Sequence, residues 1–291
     1  MLILNGLPYR YGTATLRPMT IRLQVERLWP RAATWGFAVL VFLLPAAISG
    51  AQTPPESDAR STAKAARQYT ECMALARNDP EKAVGVAAAW ERAGGEEGAR
   101  HCSAVALLNT GAYEEAARRL ESLAATSRRP GKRLKAELLA QAGQAWLIAG
   151  KTTEALSAQT RALDLAGPQV ELLLDRAITR ASIGEYWEAI DDLNKAVDLD
   201  SRRVDALVFR ATAWRKLKNL DLAQDDISRA VDLAPDNVDA LLERGNILSL
   251  RGDATAAAAA WRRVIALEAS SVAADAAREN LAKQETPSKS Q

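Results

Sequence analysis

The sequence predicts an all-α protein built from stacked helix pairs. Its 291 residues are 48% apolar, 25% charged and only 5% aromatic, and they are rich in the residue types that form helices most readily, Ala above all. Runs of β-branched residues with the two-residue alternation of strands are hard to find. The stretch DLNKAVDLDSRRVDAL, which begins at Asp192, returns 34 residues later as DISRAVDLAPDNVDAL from Asp226. A period of this length is typical of repeat proteins, in which every layer needs its own copy of the packing surface.

The N-terminal segment, residues 1–51, is predicted to be a signal peptide outside the fold. Its apolar run, AATWGFAVLVFLLPAAI at residues 32–48, follows three arginines and precedes the small residues SGA, which suit cleavage before Gln52. Translation from Met19 would leave a basic leader of ordinary length. The favoured interpretation is therefore an exported protein, periplasmic or secreted.

The same run leaves a second interpretation, an inner-membrane anchor that is not cleaved. The run is shorter than the ~20 residues that span a bilayer, and Pro45 interrupts its end. After cleavage no stable membrane span is expected. Residues 1–51 hold five of the 38 basic and one of the 36 acidic residues, which leaves a net charge of about −2 on the rest. No stripe of basic residues interleaved with aromatics remains, so nucleic-acid binding is not expected.

The chain from Gln52 onward is predicted to form helix pairs between two polar ends. Residues 52–63 form a linker rich in Pro and Ser, and residues 286–291 form a polar tail. Residues 64–96 fit a divergent N-terminal repeat, because the end of a solenoid needs an atypical cap. Residues 272–285, Ala-rich on one side and charged on the other, are predicted to be a capping helix. Between them the unit is copied at residues 97–130, 136–169, 170–203, 204–237 and 238–271.

Small residues recur at fixed places in this unit. They are Gly143, Ala177, Ala211 and Gly245 in the first helix, and Ala155, Ala189, Ala223 and Ala257 in the second. The turn between the two helices carries Gly111, Gly150, Gly184 and Gly252, with Lys218 as the exception. In these features residues 97–271 resemble the tetratricopeptide repeat family, whose unit is a helix–turn–helix of 34 residues. Arg180 departs from the pattern, because it stands where the family has a large apolar residue.

The resemblance implies a right-handed superhelical solenoid with a concave face lined by the first helices. In the family this groove binds peptides or helices of partner proteins. Transferred residue by residue, the groove is predicted to consist of Leu174, Ile178, Ala181, Ser182, Val208, Thr212, Arg215, Lys216, Leu242, Asn246, Ser249 and Leu250. We therefore expect a non-catalytic adaptor that binds a protein or peptide partner. The alternatives are a structural subunit that assembles with itself in the cell envelope and, third, an enzyme of an unrecognised type.

Within this groove, Leu174, Val208 and Leu242 fall at one place in three successive repeats. As an exposed apolar strip beside Arg215 and Lys216, they would favour a ligand segment with an apolar stripe and at least one acidic residue. The alternative is that neighbouring first helices bury the three side chains against one another, so that only the charged pair is accessible.

Two cysteines remain after the predicted cleavage site, Cys72 and Cys102. Export would place them in an oxidising compartment, and they fall on the first helices of two successive repeats. A disulfide between them is the favoured prediction, and two separately buried thiols are the alternative. No cluster of His and Cys suggests a metal site, since His101 is the only histidine.

The sequence lacks the patterns of known catalytic and cofactor sites. It contains no Gly-x-Ser-x-Gly elbow, His-Glu-x-x-His pair, Walker loop or Gly-x-Gly-x-x-Gly fingerprint. His101 and Cys102 are neighbours on a helix, so their side chains point about 100° apart and do not share a proton. We therefore predict no catalytic residues and no cofactor.

Charged residues on the two helices of a repeat suggest a structural role instead. Arg176 precedes Asp192 by 16 residues, and Arg210 precedes Asp226 by the same number. This is the separation at which the antiparallel helices of one repeat meet, so we expect both pairs to form. Arg244 has Ala260 at the matching place and must find another partner or remain free.

Overall fold

The computed structural model describes residues 56–127 and 131–285, and within them every regular element is an α-helix. The helices are α1 (Glu56–Asn78), α2 (Pro80–Arg92), α3 (Glu96–Thr110), α4 (Tyr113–Thr126), α5 (Lys132–Ile148), α6 (Thr152–Ala166), α7 (Val170–Ser182), α8 (Tyr186–Leu199), α9 (Val204–Lys216), α10 (Leu220–Leu233), α11 (Val238–Leu250), α12 (Ala254–Leu267) and α13 (Val272–Glu285). The predicted all-α fold is confirmed.

Successive helices pair and the pairs stack into a solenoid. Each odd-numbered helix up to α11 contacts the even-numbered helix that follows it, and α13 contacts both α12 and α11. The first helices of successive pairs also touch, as α7 does with α5 and α9. One apolar core runs through the stack from Ala104 to Ile247, with a smaller cluster at each end. This arrangement is a helical repeat in which each layer contacts mainly its neighbours.

The small residues of the repeat lie where the two helices of a pair approach most closely. Gly143 on α5 is buried, and a Cβ atom built there would lie 2.7 Å from Cγ of Gln159 on α6. At the equivalent place, a Cβ on Gly245 would overlap the indole of Trp261 on α12. Glycine is therefore required at both positions by the neighbouring side chain, because real Cβ atoms do not approach other atoms so closely.

The turn inside each repeat uses the left-handed backbone conformation. Gly150, Gly184 and Gly252 have φ between +75° and +87°, which glycine adopts without steric cost. Lys218 takes the same conformation at φ +63°. The one repeat without glycine at this place therefore keeps the turn at the expense of backbone strain.

Two predicted boundaries need correction, and two segments lie outside the described residues. Helix α1 begins at Glu56, so the predicted linker 52–63 is too long. Helix α5 begins at Lys132, four residues before the predicted repeat start at 136, so most of the stretch between the first two predicted copies is helical. The signal peptide predicted at residues 1–51 and the tail at 286–291 are not described. None of the described helices combines the length and apolar character needed to cross a membrane.

The predicted ion pairs between the two helices of a repeat are confirmed. The guanidinium of Arg176 donates to both carboxylate oxygens of Asp192, at 2.8 and 2.7 Å. Arg180 donates to the same carboxylate at 2.7 Å, which explains why a charged residue replaces the apolar one there. Arg244 is exposed and has no such partner among the described residues.

The N-terminal pair, α1 and α2, shares a small core with α3. Ala76, Ala83 and Ala87 pack there with both cysteines, and Cys72 on α1 forms a disulfide with Cys102 on α3 across a Cα–Cα distance of 6.1 Å. The bond therefore ties the first helix of the stack to the first helix of the next pair.

Candidate functional site

The predicted apolar strip on the inner side of the solenoid is buried. Leu174, Val208 and Leu242 are 5%, 2% and 7% exposed, and Ile178 and Thr212 beside them are also buried. Their helices α7, α9 and α11 pack directly against one another, and the space between them is filled by these side chains. The prediction of an exposed strip is therefore wrong, and these residues belong to the core.

The predicted positive charge of Arg215 is neutralised within the solenoid. Its guanidinium donates to both carboxylate oxygens of Glu243, at 2.5 and 3.0 Å, and the two side chains are only 12% and 1% exposed. The pair joins α9 to α11, and Asn246 donates to the same carboxylate at 3.2 Å. Arg215 therefore holds two repeats together and does not offer a free cation to a ligand.

The rest of the predicted groove is accessible at the C-terminal ends of the first helices. Lys216, Ser249 and Leu250 are exposed, and Ala181, Ser182 and Asn246 are partly exposed. Four residues at 34-residue intervals occupy the same place in successive repeats, and we call them the rim row: Ile148, Ser182, Lys216 and Leu250. Ile148, which the sequence analysis did not select, is exposed as well. The rim row is the surface of the predicted groove that a partner can reach.

Polar side chains deeper on the inner side bond to one another across successive first helices. The hydroxyl of Tyr69 on α1 and Nδ1 of His101 on α3 are 2.7 Å apart, and Asn280 on α13 donates to Asn246 on α11 at 2.9 Å. Burial lowers the pKa of His101, against the opposite effect of a hydrogen bond with Gln141. These contacts satisfy polar groups inside the stack and fix the spacing of its layers.

Asp175 on α7 is a polar residue of this inner side that sequence reasoning missed. Its carboxylate accepts a hydrogen bond of 2.8 Å from Gln144 on α5. The pKa of Asp175 is raised to about 7, mainly because the carboxyl is shielded from water; the bond from Gln144 lowers the pKa, and the charge of Glu171 adds a smaller increase. The carboxyl therefore changes charge close to neutral pH. Asp175 occupies the same place in its repeat as Glu243 does two repeats later. This shared place is the sequence signal that could have identified both acids.

The described residues show no grouping of three or more His, Cys, Asp or Glu side chains that would hold a metal ion. Asp191 and Asp192 are neighbours in sequence, yet Asp191 is exposed while Asp192 is buried against its arginines. The two carboxylates therefore face different surroundings and do not form an acid–base pair.

Comparisons with known proteins find similar folds among solved structures. No model of a protein family matches the chain, and no curated protein matches it. Among solved structures, MamA from Desulfovibrio magneticus RS-1, from residue 41 to its end, is 22% identical and superposes with a TM-score of 0.51 over 58% of this chain and 93% of its own.

Two further solved structures are similar. A double mutant of MamA RS-1 is 23% identical, with a TM-score of 0.51 over 57% of this chain and 91% of the other. YrrB, described as a TPR protein with an unusual peptide-binding site, is 16% identical, with a TM-score of 0.49 over 66% of this chain and 96% of its own. The stacked helix pairs and their 34-residue period, in a fold shared with the two MamA structures, confirm the resemblance found in the sequence: the chain has the tetratricopeptide-repeat fold.

Proposed function

We propose that this protein is a non-catalytic scaffold that binds a segment of a partner protein along the rim row. The observation that carries the proposal is the regular recurrence of Ile148, Ser182, Lys216 and Leu250 at the accessible ends of four first helices. A repeated row of apolar, hydroxyl and cationic groups suits an extended or helical peptide, which meets one side chain per layer. The buried strip and the Arg215–Glu243 pair supply the rigid support behind this row.

We further propose that the scaffold works outside the cytoplasm, after cleavage near Gln52. Support comes from the basic and apolar pattern of residues 1–51 and from the proximity of Cys72 and Cys102, which suits an oxidising compartment. Mass spectrometry of the protein from its native host tests this directly. An N-terminus at or near Gln52 is the expected result, and an intact apolar segment in the membrane fraction would favour the anchored form.

Site-specific crosslinking tests the binding surface. A photo-reactive amino acid placed at Ser182 or Ser249 should form adducts with a partner protein in the native host, because both side chains lie on or beside the rim row. The matched control is the same amino acid at Asp225, which is exposed on the second helix α10. Equal adducts from all three positions would contradict the proposed surface. Adducts consisting only of two copies of this chain would instead support the self-assembling subunit.

A further inference from the structure

An exposed tryptophan stands at the turn edge of the solenoid, where first helices end and second helices begin. Trp187, at the start of α8, is 60% exposed, more than any other aromatic side chain among the described residues. Ile183, four residues earlier in the turn after α7, is also exposed. Single apolar residues on a surface are ordinary, but an indole with an apolar neighbour presents a much larger apolar area.

Trp187 is held in one position by the next repeat. Its ring meets that of Trp214 on α9 edge to face, with centroids 5.6 Å apart and planes at 84°. Trp214 is itself packed against the main core. Because the indole is already fixed by this contact, little side-chain entropy remains to be lost when a partner covers it.

Two exposed lysines that have no ion-pair partner among the described residues follow Trp214 closely in sequence, at the end of α9 and in the turn after it. Arg251, just after α11, forms an ion pair of 2.6 Å with Asp221 at the start of α10. These two positions of neighbouring repeats therefore lie close together. Leu217 and Trp187 occupy the same two places one repeat earlier. Trp187 therefore lies next to the turn that carries Lys218, with Lys216 at the adjoining end of α9. Both lysines are exposed, and neither has an ion-pair partner among the described residues.

The arrangement is specific to this repeat. The places of Lys216 and Lys218 are taken by Ser182 and Gly184 one repeat earlier, and by Leu250 and Gly252 one repeat later. Lys218 is kept there although its left-handed backbone would suit glycine better. Neither neighbouring repeat therefore has lysines at these two places, and the exposed tryptophan lies on the repeat next to the one that does. Glu185 and Glu188 flank Trp187 on α8 itself, so the edge is anionic on the α8 side and cationic on the α9 side.

We propose that this edge, formed by Ile183, Trp187, Lys216 and Lys218, is the docking point for an acidic segment of the partner that carries a bulky apolar anchor. The anchor covers the free face of Trp187, and carboxylates on one side of the anchor meet the two lysines. Tryptophan is enriched among the residues that dominate binding energy, and the unmatched lysines fix the orientation and speed association. The inference rests on the proposed scaffold function and names the chemistry of its ligand.

Selection from a phage-displayed library of random twelve-residue peptides tests the inference. The full-length protein serves as bait, and the Trp187→Ala variant serves for counter-selection. Peptides that bind the first and not the second should share an aromatic or branched apolar residue and at least two Asp or Glu residues. No enrichment, enrichment of basic peptides, or peptides that bind both baits equally would overturn the proposal.

The selected peptide is then titrated against purified variants by fluorescence anisotropy. Trp187→Ala and the double variant Lys216→Glu/Lys218→Glu should each raise its Kd at least tenfold, and the effect of the lysines should shrink at high salt. Leu199→Ala, which removes an exposed apolar side chain from the opposite end of α8 and outside the rim row, is the control and should change Kd less than twofold. Equal losses in Trp187→Ala and Leu199→Ala would overturn the assignment.

Two further outcomes separate this inference from the broader proposal. If crosslinks form from Ser182 and Ser249 while no peptide depends on Trp187, the scaffold function stands and the acidic-segment inference fails. If sedimentation shows a dimer that Trp187→Ala dissociates, the occupant of the edge is a second copy of this chain, and the inference fails in favour of self-assembly. Circular dichroism of each variant, expected to be unchanged because the substituted side chains are exposed, verifies the fold.

Discussion

Arg210 and Asp226 meet across one repeat through two parallel hydrogen bonds of 2.7 and 2.6 Å. The arginine also donates to Asn194 on the second helix of the preceding repeat, at 2.9 Å. Arg176 repeats both contacts one layer earlier, with Asp192 and with Thr160. Each arginine therefore joins the two helices of its own repeat and also the preceding repeat. Such fork-shaped contacts fix geometry as well as charge.

Replacing Arg210 with alanine should destabilise the solenoid by about 3 kcal/mol, because it leaves a nearly buried carboxylate without its main partner. Arg244→Ala is the matched control, since the same place in the next repeat has no ion-pair partner among the described residues. It should change stability by no more than about 0.5 kcal/mol. Urea unfolding followed by circular dichroism measures both. Equal shifts of the two unfolding midpoints would show that the Arg210–Asp226 ion pair adds no more to stability than the unpaired Arg244 does.

Lys218→Gly should raise the melting temperature. The left-handed conformation costs an ordinary residue about 1–2 kcal/mol, and glycine avoids this cost. About 0.5–1 kcal/mol of the gain is lost again because glycine makes the unfolded chain more flexible. The net gain is therefore on the order of 0.5–1 kcal/mol. Lys218→Ala removes the same charge but keeps the strain, so it should not stabilise the protein. A gain of equal size in both variants would point to the charge and contradict the backbone argument.

The disulfide between Cys72 and Cys102 should matter mainly for the N-terminal pair. Closing a loop of this length stabilises by about 2–4 kcal/mol, and α1 and α2 are held to α3 by only a small apolar cluster. In the variant Cys72→Ala/Cys102→Ala, amide hydrogen exchange should accelerate in α1 and α2 and remain unchanged in α7 to α10. Non-reducing peptide mapping of the wild-type protein should show the two cysteines linked. Full alkylation of both in unfolded, non-reduced protein would contradict the bond.

The contacts that lie within one repeat were predictable from spacing alone. A separation of 16 residues brings the two helices of a pair together, so the sequence alone predicts that Arg176 meets Asp192. The Arg215–Glu243 pair spans 28 residues, six short of the period, and joins two first helices. Predicting it requires knowing how closely successive layers stack, which the repeat pattern of one layer does not specify.

The same limit explains the error about the apolar strip. The family pattern places Leu174 on the inner side of α7, but its exposure depends on whether α9 leaves room beside it. Here the neighbouring helices touch and the side chain is buried. Lys216 and Leu250 remain exposed because they lie at helix ends, beyond this contact. The exposed Trp187 gave no periodic signal, since the next repeat has Asp221 at its place.

The carboxyl of Asp175 should make stability depend on pH around neutrality. Its folded-state pKa of about 7 lies above the ordinary value of 3.8, so the native protein binds its proton more tightly than the unfolded chain does. The resulting stabilisation is complete below about pH 4 and is lost as the pH rises through about 7. Since one pKa unit corresponds to about 1.4 kcal/mol, the effect is at most about 4 kcal/mol.

Comparison of the wild-type protein with Asp175→Asn across this pH range provides the measurement. The amide keeps an acceptor for Gln144 and does not ionise, so the variant should be the more stable protein at pH 8. This advantage should disappear by pH 4, where the wild-type carboxyl is protonated. Asp191→Asn, the same substitution at an exposed carboxylate on α8, serves as the control and is measured over the same pH range. A difference for Asp175→Asn that does not vary with pH would mean that Asp175 ionises at the same pH in the folded and the unfolded chain.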